Sequence, residues 1–170
     1  MSTYVLIEKY TVGAGGVSSV TLGSGGTIPQ TYTDLVVKLS VRKSDTSANI
    51  RWTINGASSG YSERMVYNAD GVAYSTSAAS AYLQLLYATT SSLTANTFSN
   101  GEMYFPNYTN ASYKSISIDN TQENNGTSIV QNLTAGLWSN TSAITSLTFG
   151  VASGSFTQYS TFYLYGILKA

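Results

Sequence analysis

Asp34–Arg42 reads DLVVKLSVR, and from Val37 onward its apolar and polar positions alternate residue by residue. Strict alternation sends successive side chains to opposite faces of an extended chain, one face to a core and the other to solvent or a neighbour. The same pattern returns in Asn49–Asn55 (NIRWTIN) and in Gln158–Lys169 (QYSTFYLYGILK). These runs define a β scaffold.

Further candidate strands lie at Tyr4–Lys9, Ser19–Leu22, Tyr61–Tyr67, Tyr82–Tyr87, Glu102–Phe105, Tyr113–Asp119, Ser128–Leu137, Ala143–Phe149 and Thr161–Leu168. Between them stand turn residues: Gly13–Gly16, Gly23–Gly26, Asn55-Gly56, Asp70-Gly71, Asn100-Gly101, Asn125-Gly126 and Ser153-Gly154. Asn-Gly and Asp-Gly supply the positive φ angles of tight hairpin turns. Many short strands at this spacing predict an all-β fold, an antiparallel sandwich or barrel of about ten strands. Ser77–Ala88 (SAASAYLQLLYA) is ambiguous, because Ala78, Tyr82, Leu85 and Leu86 share a helical face. The flanking Ser/Thr runs and the all-β context favour a strand. Pro29 and Pro106 fall at strand borders, where a missing N–H is tolerated. With no composition break and no internal repeat, residues 1–170 read as a single domain.

Composition narrows the function. Eight basic and eight acidic side chains cancel, and there is no histidine and no cysteine. No basic stripe marks a nucleic-acid binder or a membrane-contact segment. Ser, Thr and Asn make up roughly a third of the chain, replacing the Lys and Glu of an average surface. The N-terminal MSTYVLIEKY lacks the cationic and apolar regions of a signal peptide. No apolar stretch approaches the ~18–20 residues of a membrane span. The expectation is synthesis in a host cytoplasm without a signal peptide.

General acid–base chemistry is most often carried by histidine, so a catalytic reading is left with carboxylates, lysines and hydroxyls. The acids are Glu8, Asp34, Asp45, Glu63, Asp70, Glu102, Asp119 and Glu123. Most sit at strand ends or beside turn residues, where Asp satisfies local backbone N–H groups. No pair stands out as a glycosidase dyad. Residues Asp119–Asn125 (DNTQENN) form the densest run of oxygen ligands, yet they lack the alternating spacing and closing glutamate of a calcium loop. A polar hairpin loop is the reading, with no metal and no cofactor expected. Gly13–Gly16 is followed by the strand-like VSSVTL rather than a helix, so it is a hairpin turn and not a phosphate cradle. Asn-x-Ser/Thr triplets at Asn107, Asn110, Asn125, Asn132 and Asn140 are expected by chance in this composition and are read as unmodified.

Tyrosine outnumbers phenylalanine fourteen to five. Tyr61, Tyr67, Tyr82, Tyr87, Tyr104, Tyr108 and Tyr113 crowd the middle of the chain, and Tyr serves protein contacts and sugar stacking alike. Trp52 shares a face with Ile50 and Ile54 and belongs to the core. Trp138, at a strand end, fits either a core or a surface role.

Several stretches in order, IPQTYTDL (28–35), VVKLSV (36–41), IRWTING (50–56), ANTFSNGEMYFPN (95–107), KSISIDNTQE (114–123), AGLWSNTSAITS (135–146) and GSFTQYSTFYLYGI (154–167), span nearly the whole chain. Together they resemble a family of tailed-bacteriophage virion structural proteins. The resemblance implies a jelly-roll-like β-sandwich on the exterior of a virion, and no catalytic residues carry over from it. It further implies a capsid decoration (cement) protein that binds the major capsid protein or another virion protein as a homo-oligomer, a trimer being favoured. The alternative is a tail or head fibre part, or a receptor-binding module that recognises host surface glycans. An enzyme such as a depolymerase is the third class, and the expected answer is that the chain is not one.

Overall fold

A computed structural model describes residues 3–85, 87–126 and 129–168. Among them run twelve strands and no helix: β1 (Thr3–Thr11), β2 (Ser19–Leu22), β3 (Asp34–Val41), β4 (Ile50–Ile54), β5 (Tyr61–Ala69), β6 (Val72–Ser80), β7 (Leu83–Leu85), β8 (Ser99–Phe105), β9 (Lys114–Gln122), β10 (Val130–Trp138), β11 (Leu147–Val151) and β12 (Thr161–Leu168). They form an eight-stranded sheet, β1-β12-β3-β8-β9-β10-β5-β6, and a four-stranded sheet, β2-β11-β4-β7. All pairings between these strands are antiparallel.

The order has a simple logic. With β5–β6 and β9–β10 set aside, the remaining strands pair first with last, β1 with β12, then β2 with β11, β3 with β8 and β4 with β7. That nesting is a long hairpin rolled into two sheets, a jelly roll. The two hairpins set aside are additions to one sheet only. They lengthen the large sheet by four strands past β8 and leave the small sheet unchanged.

Alternation built the core. Leu35, Val37, Leu39 and Val41 of β3 face inward, as do Ile50, Trp52 and Ile54 of β4. Trp52 and Phe149 of the small sheet stack at 6.2 Å, and Trp52 meets Phe105 of the large sheet edge-on at 5.7 Å. Phe162 closes the chain of rings, 5.4 Å from Phe149 and 5.1 Å from Phe156. Such ring pairs contribute about 0.5–1.5 kcal/mol each beyond their buried area. Trp138 is also buried and stacks on Tyr61 at 6.3 Å, which resolves its role in favour of the core. Val36 breaks the alternation. It points outward yet is buried, because its register partners on either side are Tyr104 and Tyr165.

Buried polar groups hold the corners. Lys43 has no exposed surface; its Nζ donates to the Ser47 and Asn49 carbonyls and lies 3.2 Å from Asp45. Lys114 Nζ donates to the carbonyls of Asn110 (2.5 Å) and Ser112 (2.6 Å). The Tyr61 hydroxyl accepts from Ile54 N (2.8 Å) and donates to Ile54 O.

Several sequence expectations need correction. Asn100-Gly101 is no turn: both residues lie inside β8, where Gly101 is buried and a Cβ would come within 3.3 Å of the Asp119 carbonyl and Leu39. Of the other turn signals, Asp70-Gly71 and Asn125-Gly126 join strands that pair with each other. Gly13–Gly16, Gly23–Gly26, Asn55-Gly56 and Ser153-Gly154 instead carry the chain from one sheet to the other. Local φ requirements are the same for both kinds of connection, so the residues could not tell them apart. The ambiguous segment Ser77–Ala88 holds strand in two pieces: residues 77–80 end β6, and the run read at Tyr82–Tyr87 is shorter, Leu83–Leu85. Only the first part of β6, from Val72 to Thr76, had no counterpart in the sequence pattern. Residues 143–146 precede β11 as an irregular stretch, tied by Ile144 N to Tyr108 O and by the Asn55 side chain. Ser128, Leu86 and Lys169, which figured in predicted runs, lie outside the described residues.

Candidate functional site

The four added strands give the large sheet a broad outward face that covers no core. Alternation decides what it shows. Ser115, Ser117, Asp119 and Thr121 of β9 point outward, as do Gln131, Leu133 and Ala135 of β10, Arg64, Val66 and Asn68 of β5, and Ala73 and Ser75 of β6. Most of these side chains are short, and antiparallel sheets twist, so the face sinks into adjoining depressions. The largest, of about 770 Å³, is lined by Val66, Asn68, Ala73, Ser75, Asp119, Thr121, Gln131 and Leu133. A second shares Val66 and Leu133 with it, a third shares Arg64 and Ala135 with the second, and a fourth shares Asp119 and Thr121 with the first. The depressions therefore adjoin in a row that grooves the face across β6, β5, β10 and β9 and reaches β8 and β3 at one end. Its apolar ridge is Leu133, 62% exposed, and Val66, 54% exposed.

Beside the groove, over the jelly-roll half of the same sheet, stands a bank of tyrosines. Tyr163 and Tyr165 stack at 6.3 Å, Tyr4 meets Tyr165 edge-on at 6.2 Å, and Lys9 Nζ sits 5.3 Å from the Tyr163 ring centre. The Tyr104 hydroxyl donates to Asp34 Oδ2 at 2.9 Å. Burial, then the Asp34 hydrogen bond and charge, hold the Tyr104 phenol above its ordinary range.

The tyrosines that crowd the sequence do not form one surface. Tyr61 and Tyr108 are core residues, and the Tyr108 hydroxyl donates to the Pro29 carbonyl. Tyr67, Tyr74 and Tyr87 gather on the opposite side of the added strands, Tyr67 lying 4.9 Å from Tyr74 and 5.4 Å from Tyr87. Burial and the Tyr67 hydroxyl push the Tyr87 phenol up to about 12. Tyr82 lies against Arg51 at 4.6 Å, and Tyr113 is exposed. Tyr163 and Tyr165, which the sequence reading did not single out, were marked by their outward i, i+2 spacing in QYSTFYLYGILK.

The acids mostly serve the backbone. Glu8 accepts from Gly23 N, Asp34 from Asn107 N, Asp70 from Ile129 N and Glu123 from Asn125 N. Burial works to raise the Asp45 carboxyl, but hydrogen bonds from Ser153 and Lys43 and the Lys43 charge outweigh it, leaving it below the ordinary range. Glu63 is buried; Oε2 accepts from Gln84 N at 3.0 Å, and burial raises the carboxyl. Glu102 and Asp119 are the exception, directly opposite each other on β8 and β9. Lys38 Nζ lies 2.9 Å from Glu102. Burial and the Glu102 charge push Asp119 up, while Lys38 draws it back.

The oxygen-rich run Asp119–Asn125 is not a loop at its start. β9 continues to Gln122, so Asp119 and Thr121 point out while Asn120 and Gln122 point in and are buried. That split keeps the first four oxygen side chains from converging on one point. Among the described residues no three acids cluster as metal ligands. Of the Asn-x-Ser/Thr asparagines, Asn132 is buried with its side chain accepting from Thr134.

No protein-family model, curated protein or solved structure matches the chain. The class of protein defined by fold and site is thus read from the molecule itself. It is a jelly-roll sandwich whose larger sheet is prolonged into a grooved, weakly charged outer face.

Proposed function

We propose that this protein is a structural component of a tailed-bacteriophage virion, a decoration protein that adheres to the capsid shell as a symmetric oligomer. One observation carries the reading: four strands extend the large sheet past the jelly roll, and their outward face covers no core of the protein itself. An outer face of this breadth is available for contact with another protein. Its short polar side chains, with Leu133 and Val66 as apolar anchors, suit a dry contact with another protein. Near-zero charge limits adhesion to nucleic acid, and repeated copies multiply a modest contact into a strong one. The resemblance of the sequence to virion proteins supports the same class.

The test is a purified virion. Cryo-EM maps are expected to show the protein on the capsid in stoichiometric copies, and particles lacking it to lose heat or pressure tolerance. A few copies per particle, or copies confined to the tail, would sink the decoration reading. The outward tyrosine bank favours a second reading, a fibre or receptor-binding module stacking Tyr163 and Tyr165 on host glycans. Binding of the isolated protein to host cells, lost in Tyr163→Ala, would favour that alternative. The Glu102–Asp119 pair is read as part of an ionic row with Lys38 rather than as a catalytic dyad. Polysaccharide cleavage by the purified protein, abolished by Glu102→Gln, would overturn that.

A further inference from the structure

We infer that the free edge of β6 pairs with β6 of a second copy, joining two large sheets into one across a two-fold axis. The strand is built for it. β6 ends the eight-stranded sheet, and it follows β5 from Tyr61↔Ser80 to Ala69↔Val72 without a register shift. The connecting Asp70 and Gly71 both have positive φ (52° and 84°), a two-residue turn that makes Ala69 and Val72 a doubly hydrogen-bonded pair. Every second residue from Ala73 therefore turns its N–H and C=O away from β5. Ala73, Ser75, Ser77 and Ala79 present an unbroken row of unpaired backbone groups.

Protein edges are normally blunted by charge, proline, bulges or shortness. The other three edges follow that rule. β1 carries Glu8, Lys9 and a bulge between Leu6 and Glu8, whereas β2 and β7 are only four and three residues long. Val72–Ser80 has nine residues, with no charge and no proline. In an isologous contact the same patch of both copies meets itself, so an edge carrying charge of one sign would repel itself. β6 meets that condition along its whole length. A two-fold axis at Thr76 sets Ala73 opposite Ala79 and Ser75 opposite Ser77 of the second copy. All four outward residues then pair, with about eight new N–H···O bonds. Exposed Val72 and Tyr74 on β6, and Val66 on the next strand, lie beside this seam. The grooves of the two copies become one.

The inference rests on the oligomer in the reading above and replaces three-fold by two-fold symmetry. Its test uses the isolated full chain, so failure of edge pairing and failure of the capsid location are read separately. Sedimentation velocity at micromolar concentration is expected to give twice the chain mass of 18.1 kDa. Ser75→Pro removes an outward N–H without touching the β5 ladder, and it should return the mass to that of one chain with an unchanged circular dichroism spectrum. As a second variant that alters no backbone group, Ala73→Lys should do the same. Hydrogen exchange at Ala73, Ser75, Ser77 and Ala79 should be slow in the wild type and fast in both variants. A monomeric wild type, a trimer, or a dimer indifferent to both substitutions would overturn the proposal.

Discussion

Glu63 shows how much one buried group sets the pH response. Its carboxyl lies under β7, with one oxygen on Gln84 N and the other without a hydrogen-bond partner among the described residues. Burial raises its pKa in the folded state, so folded chains hold the proton more tightly than unfolded ones. Stability from this site is fully present below the unfolded value and is lost as pH rises through the folded one. Glu63→Gln is therefore expected to raise the thermal midpoint at neutral pH, with the gain fading in acid; a gain that grows on acidification would refute the sign. Lys43 makes the opposite case. Removing it strands two carbonyls and the Asp45 carboxylate at a corner where the lysine is fully buried. Lys43→Met should cost about 3 kcal/mol in urea unfolding. Burial and the Tyr67 hydroxyl push the Tyr87 phenol up to about 12, so the phenolate absorbance should carry a late step near that pH that Tyr87→Phe removes.

At the scale of elements, the corner built by Asn55 is a clasp between connections far apart in sequence. Its Oδ1 accepts from Thr145 N (2.7 Å) and Ser146 N (3.1 Å), and its Nδ2 donates to Ala143 O (2.8 Å), all with φ at 53°. Asn55→Ala loses these bonds and leaves an alanine in the left-handed region, a loss of about 2–4 kcal/mol by denaturant titration. Strand β12 holds a comparable fit, because a Cβ on Gly166 would collide with the Tyr32 ring. Gly166→Ala should destabilise by about 1–3 kcal/mol, and Tyr32→Ala should remove most of that penalty in the double variant. Neither contact was legible in the sequence, since Asn55 reads as an ordinary hairpin asparagine and Gly166 as a strand glycine. The β3, β4 and β12 runs were legible because alternation is a local property of buried-on-one-side strands. The first part of β6, residues 72–76, was missed for a physical reason: on an edge strand with exposed residues on both faces there is no burial alternation to show. The groove was hidden with it, since its walls are defined by which strands are neighbours.

For the whole molecule, the nested order means that β1 must find β12 and β2 must find β11 across nearly the full chain. Pairings at such separation slow folding. Refolding followed by stopped-flow circular dichroism is expected on the order of milliseconds to seconds or longer, and microsecond refolding would contradict the topology. The added hairpins β5–β6 and β9–β10 close locally but dock onto β8 only through β9, so their order depends on the jelly roll. Both indoles, finally, are sealed inside: Trp52 is 1% and Trp138 2% exposed. Native emission is thereby set by the interior alone, and it should stay blue-shifted when paired copies separate on dilution. A red shift reports melting, so a single optical signal tells dissociation from denaturation without any label.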